Sequence, residues 1–136
     1  MGQGLPAALE PPWLPHIAYN STCIDVLAIG RLLLPEFVAY EGSVFLGIHF
    51  TKDSFARWMR VLGNMKDVEN MLNHVHVYDI LGHDMKMSVH DACLVAHLLK
   101  RCWALALHAA FPGKEFDIVV SDAEDGYGPV LTFSGK

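Results

Sequence analysis

The residues with the clearest capacity for chemistry lie in the segment NHVHVYD, residues 73–79. His74 and His76 are two residues apart, and on a β-strand side chains with that spacing point to the same face. Two imidazoles on one face can bind one zinc ion, but a zinc site needs at least a third ligand. The candidates for it are His83, Asp84, Asp79 and His49. Since nothing in the sequence brings these residues to the pair, we expect His74 and His76 to be structural or partner-facing. A metal site of His74, His76 and His83 is the alternative.

A second set of histidines lies on a predicted long helix. His90, His97 and His108 return to almost the same azimuth at 100° per residue, and Arg101 lies on the same stripe. These histidines are two and three helical turns apart, so they cannot share one ion. We interpret the stripe as the polar face of an otherwise apolar helix. The alternative is a groove for an anionic ligand, with His90, His97, Arg101 and Tyr78 as the candidate binding residues.

Other catalytic patterns are missing from the sequence. It has no G-x-S-x-G nucleophile elbow and no phosphate-binding glycine loop, so the catalytic residues stay unknown. The segment DAEDG, residues 122–126, is too short for a calcium loop and indicates a solvated turn. The three cysteines form no C-x-x-C pair, which predicts free thiols in a reducing compartment.

The amino-acid composition and the net charge favour some classes of protein and argue against others. Of the 136 residues, 52% are apolar and 18% are charged, an apolar surplus that predicts a subunit interface and self-association as a dimer. No 18-residue stretch is free of charge or strong polarity, which argues against a membrane span. The net charge is −5 and the basic residues are scattered, so nucleic-acid binding is disfavoured. The N-terminus does not resemble a secretory signal, and we expect a cytoplasmic protein.

The first half of the chain is expected to hold a lead-in, a helix and a hairpin. Residues 1–15 are proline-rich and predict an extended or disordered segment, which leaves residues 16–136 as a single domain. Thr22 and Asp25 form a capping box for a helix over residues 23–33, and its apolar faces predict that it is buried. Strands are expected over residues 37–40 and 44–50, joined by a turn at Glu41-Gly42.

The rest of the chain alternates helices with strands. The amphipathic helix TKDSFARWMRVLGN has an apolar stripe at helical spacing, formed by Phe55, Trp58, Met59 and Leu62. A short helix over residues 66–72, a strand over residues 74–81, a long helix between Ser88 and Pro112 and a terminal hairpin follow. This order predicts an α+β fold: a mostly antiparallel sheet of about five strands, packed against a long, largely buried helix and shorter helices.

Two functions are compatible with these patterns. The first is a non-enzymatic binding module that self-associates or binds another protein, since catalytic signatures are missing. The alternative is a small metal- or histidine-dependent enzyme centred on His74 and His76, with help from His83 or His49. Convergence of three or more of these side chains in one concave pocket would favour the enzyme, and a flat apolar patch would favour the binding module.

Overall fold

The computed structural model describes residues 13–81, 87–122 and 126–136. Expectations for residues 1–12, for His83 and Asp84 and for residues 123–125 lie outside these ranges. The elements in chain order are α1 (Trp13–Asn20), α2 (Cys23–Leu33), β1 (Phe37–Tyr40), β2 (Ser43–Leu46), α3 (Lys52–Leu62), α4 (Met65–Leu72), β3 (His74–His76), α5 (Val77–Leu81), α6 (Val89–Ala110), β4 (Phe116–Asp122) and β5 (Pro129–Gly135). The contacts between residues divide the chain into two units, Met1–Arg31 and Leu32–Lys136.

The first unit contains α1 and most of α2. Helix α1 begins at Trp13, so the last three residues of the predicted lead-in are helical. The capping box of α2 is confirmed, because Thr22 N donates to Asp25 Oδ2 over 2.9 Å and Asp25 N donates to Thr22 Oγ1 over 3.1 Å. The expected burial of this helix is wrong, since none of its residues is buried and Ile24 is 77% exposed. Its last two residues, Leu32 and Leu33, belong to the second unit and are partly buried against an apolar cluster there.

The second unit begins with a two-stranded hairpin. Strands β1 and β2 are antiparallel, and the turn between them is the predicted pair, with positive φ at Glu41 and Gly42. Strand β2 ends at Leu46 rather than at residue 50, because the N–H groups of His49 and Phe50 both donate to the Leu46 carbonyl and turn the chain. Ile48, which lay within the predicted strand, is therefore outside it, and its side chain is 62% exposed.

The other three strands form an antiparallel sheet in the order β3-β5-β4. Strand β3 covers only His74–His76, whereas a strand was predicted over residues 74–81, and the chain continues as α5. The physical reason lies in the partner strand. His76 pairs with Val130, and the residue before Val130 is Pro129, which has no N–H to donate. The ladder ends there, so the chain turns into a helix.

Three apolar clusters lie in the described part of the second unit, and the smallest side chains form the third of them, Val77, Ala92 and Ala96. Helix α6 packs one face on the three-stranded sheet, where Trp103 is fully buried and donates its indole N–H to the Leu32 carbonyl over 3.0 Å. The second cluster joins α3 and α4 to β2 and contains the predicted stripe of Phe55, Trp58, Met59 and Leu62. The fold is α+β, as predicted, and the described residues form five antiparallel strands in two small sheets and a long helix. No helix within the described ranges is long and apolar enough to cross a membrane.

Candidate functional site

A cleft of about 660 Å³ lies in the second unit, where α3, β3 and α5 meet the turn after β2. Its lining combines apolar side chains with three imidazoles and one carboxylate. The lining residues are Ile48, His49, Ser54, Trp58, Met71, Leu72, His74, Val75, His76, Asp79 and Ile80. The cleft therefore contains His74 and His76 together with two of the further ligand candidates, His49 and Asp79.

Asn73 explains why residues so distant in sequence meet here. Its side chain is fully buried; the amide oxygen accepts from Leu46 N over 2.8 Å, and the amide nitrogen donates to Val44 O over 2.9 Å. These bonds fix the start of β3 beside the end of β2. His74 follows Asn73 directly and His49 lies three residues after Leu46, so the same bonds bring the two histidines together. No sequence pattern identified Asn73.

Two of the imidazoles have their orientation set by backbone carbonyls. Nδ1 of His74 lies 2.7 Å from the Met71 carbonyl oxygen, and Nδ1 of His49 lies 3.3 Å from that of Leu72. A carbonyl oxygen only accepts, so each contact is a hydrogen bond when Nδ1 carries the proton. In the neutral ring this leaves the lone pair on Nε2. His49 and His74 can thus both accept a proton, or a hydrogen bond, at Nε2.

The imidazoles form part of a row of rings. Ring centroids are 6.4 Å apart for His49 and His74, 5.3 Å for His74 and His76, and 5.6 Å for His76 and Tyr127. The Tyr127 hydroxyl donates to Asp79 Oδ1 over 2.8 Å. The buried Nδ1 of His76 has no hydrogen-bond partner in the described part of the chain. The row therefore contains a buried polar atom that pairs with no described residue.

The structure places His74 and His76 in one cleft and adds His49, whose approach the sequence did not predict. A metal site gains less support. Within residues 13–81, 87–122 and 126–136, no group of three or more His, Cys, Asp or Glu side chains could hold a metal ion. The proposed third ligand, His83, lies outside those ranges, so the zinc site of His74, His76 and His83 stays a prediction.

The other predicted ligand residues lie elsewhere. His90, His97 and Arg101 are exposed on α6 and do not line the cleft. Tyr78 is half-buried, donates its hydroxyl to the Met87 carbonyl over 3.4 Å and stacks edge-on against Tyr127. The anion groove predicted from these four residues stays a prediction.

A second cleft, of about 540 Å³, lies where the β1–β2 turn, α4 and the ends of β4 and β5 meet. Its buried carboxylate is that of Glu69, which accepts from Gly135 N over 3.2 Å. Beside Glu69, Lys66 donates to Ser134 Oγ over 2.9 Å and to Gly135 O over 3.0 Å. These groups attach α4 to the end of β5, which is a structural role.

Comparison with protein-family models, with curated proteins and with solved structures finds no match to this chain. A function therefore has to be argued from the histidine cleft itself.

Proposed function

We propose that the cleft binds a small molecule with an apolar body and an O–H or N–H group, and that His49 and His74 accept its proton. The observation that carries this proposal is the pair of Nδ1 contacts to the Leu72 and Met71 carbonyls. These carbonyls favour the tautomer with the proton on Nδ1, and in that tautomer the Nε2 atom of each ring is an acceptor. Such preorganisation lowers the cost of binding.

The walls of the cleft support an apolar ligand body. Ile48, Trp58, Met71 and Ile80 line it together with the imidazoles, and Trp58 is only half-buried, which leaves part of the indole open to a ligand. The volume of about 660 Å³ lies inside the range of roughly 300–1,000 Å³ that ligand pockets occupy. A ring-sized molecule can enter such a cleft and reach an imidazole with its polar group.

Proton acceptance is the chemistry that this arrangement favours. A neutral imidazole with a free Nε2 is the usual general base in proteins, and a neighbouring imidazole can take part in moving the proton. His74 has His49 on one side and His76 on the other in the row of rings. Of the two functions compatible with the sequence, these features support the histidine-dependent enzyme, with His49 and His74 as the proton acceptors. The cytoplasm is the compartment we propose, because all three cysteines are free thiols.

Phenol and anisole form a matched pair of probes for this proposal. The two molecules have similar aromatic bodies, but only phenol has an O–H group to donate. We expect phenol to shift the indole N–H signal of Trp58 in NMR titrations and to bind more tightly than anisole. His74→Phe should weaken phenol binding roughly three- to tenfold, the value of one hydrogen bond, while leaving anisole binding unchanged.

His97→Phe is the control, since this histidine is exposed on α6 and does not line the cleft. It should bind phenol as the unmodified protein does. Equal binding of phenol and anisole, or equal effects of the two substitutions, would contradict the proposed role of His74.

A further inference from the structure

Strand β4 lies at the edge of the three-stranded sheet. All seven of its residues pair with β5, and no described strand pairs with its other side. An unpaired strand edge is a template for another strand, and proteins usually protect it with charged side chains, above all lysine, with proline or with a bulge. The sequence of β4, FDIVVSD, has no proline or lysine, its charged residues are Asp117 and Asp122, and its pairing with β5 is continuous. Among the described strands, β5 is therefore the only partner of β4.

The ladder with β5 determines which backbone groups point outward. Lys136 N donates to Glu115 O over 3.0 Å, and this pair precedes the pairing of Phe116 with Gly135. Hydrogen-bonded pairs alternate in an antiparallel ladder, so alternate residues of β4 bond inward to β5. The residues with N–H and C=O groups directed to the free edge are Phe116, Ile118, Val120 and Asp122.

We propose that two copies of this chain pair through β4, antiparallel, about a two-fold axis at Val119. This register sets Ile118 opposite Val120 of the second copy, and Phe116 opposite Asp122 of the second copy. Every residue with outward backbone groups then meets another such residue, as a hydrogen-bonded pair requires. A register shifted by two residues in either direction loses one of the four pairs. The two sheets join as one sheet of six strands.

The side chains fit the same register. Val119 is 52% exposed. In this register it lies opposite Val119 of the second copy, so the pairing buries the two valines against each other. Asp117 lies opposite Ser121 of the second copy, and no two carboxylates are directly opposed. The half-buried Ile118 and Val120 extend the apolar face beneath α6 across the axis. A two-fold contact of this kind is self-complementary and closed.

Val119→Lys tests the register by placing two ammonium groups opposite each other. We expect it to weaken dimerisation about tenfold or more, measured by sedimentation equilibrium, because like charges directly opposite destabilise a strand pair. Val61→Lys is the matched control, since Val61 is 72% exposed on α3 and lies away from β4. The control should dimerise as the unmodified chain does, and circular dichroism should show both variants folded.

A cysteine at the axis provides an independent readout. In a non-hydrogen-bonded antiparallel pair the Cα atoms are about 4.5 Å apart, a separation that a disulfide can span. With Cys23, Cys93 and Cys102 replaced by serine, Val119→Cys should give a disulfide-linked dimer under mild oxidation, and Val61→Cys should not. A chain that stays monomeric at high concentration would overturn the proposal. So would a dimer that Val119→Lys leaves unchanged and Val119→Cys does not cross-link.

Discussion

The side-chain oxygen of Asn73 accepts a hydrogen bond from the backbone N–H of Leu46 over 2.8 Å, and this bond joins the two sheets of the second unit. The amide nitrogen completes the contact with Val44 O, so one side chain satisfies both a donor and an acceptor of β2. The Asn73 side chain thus makes two hydrogen bonds to β2 that a neighbouring strand would otherwise make. The histidine cleft depends on it, since His74 follows directly.

Asn73→Ala should be among the most destabilising substitutions in the chain. It leaves Leu46 N and Val44 O buried without partners, which should lower the free energy of unfolding by about 2–5 kcal/mol. Asn70→Ala is the control, because Asn70 is exposed on α4 and alanine favours a helix. Urea denaturation of both variants compares them. Equal midpoints would show that the Asn73 amide does not support the sheet junction.

Alanine substitutions at Gly126 and Gly128 distinguish the steric cost of a Cβ atom from the cost of a backbone with positive φ. Both have positive φ, +82° and +78°, but a Cβ at Gly128 would lie 2.8 Å from Cδ2 of Tyr78, whereas no described atom lies within 4 Å of a Cβ at Gly126. Gly126→Ala should cost about 1 kcal/mol for the backbone alone. Gly128→Ala should cost roughly 1–3 kcal/mol more, because the Tyr78 ring must move. Thermal melts measure the difference, and similar losses would contradict the close approach.

The two tryptophans of the second unit should respond differently to truncation. Trp103 is fully buried and hydrogen-bonded to Leu32 O, so Trp103→Ala should lower the free energy of unfolding by about 3–5 kcal/mol. Trp58 is half-buried at the cleft, and Trp58→Ala should cost clearly less. Chemical denaturation gives both values. A larger loss at Trp58 would mean that its contacts with the second cluster stabilise the fold more than the burial of Trp103 does.

His76 and Val77 provide a test of the short strand β3. The buried Nδ1 of His76 has no described partner, so His76→Leu removes an unpaired polar atom and should leave stability unchanged or raise it by up to about 1 kcal/mol. Val77 is fully buried, and Val77→Ala should cost roughly 1–3 kcal/mol. Melting curves of the two variants measure these changes in stability. A His76→Leu variant that loses more stability than Val77→Ala would indicate a polar partner for His76.

Local patterns predicted much of the fold. The capping box of Thr22 and Asp25, the apolar stripe of α3 and the helix stop near Pro112 depend on residues within a few positions of each other. The features that the sequence did not predict depend on contacts between residues that are far apart in the chain. Strand β3 ends at His76 because β5 begins at Pro129, far along the chain.

For the same reason, only part of the candidate site could be predicted from the sequence. The shared face of His74 and His76 follows from strand alternation, which is local. The approach of His49 depends on the bonds between Asn73 and β2, which connect residues 27 and 29 positions apart. A buried asparagine that bridges two elements has no sequence signature that separates it from an exposed one.

The tautomers of His49 and His74 test the central claim most directly. Long-range ¹H–¹⁵N correlation spectra of the imidazoles, recorded at about pH 8.5 where an ordinary imidazole is neutral, distinguish a protonated nitrogen from an unprotonated one. We predict that both rings carry the proton on Nδ1 and that phenol, but not anisole, shifts the Nε2 signal of His74. A proton on Nε2 of His74 in the free protein, or an Nε2 signal that phenol leaves unchanged, would contradict the account.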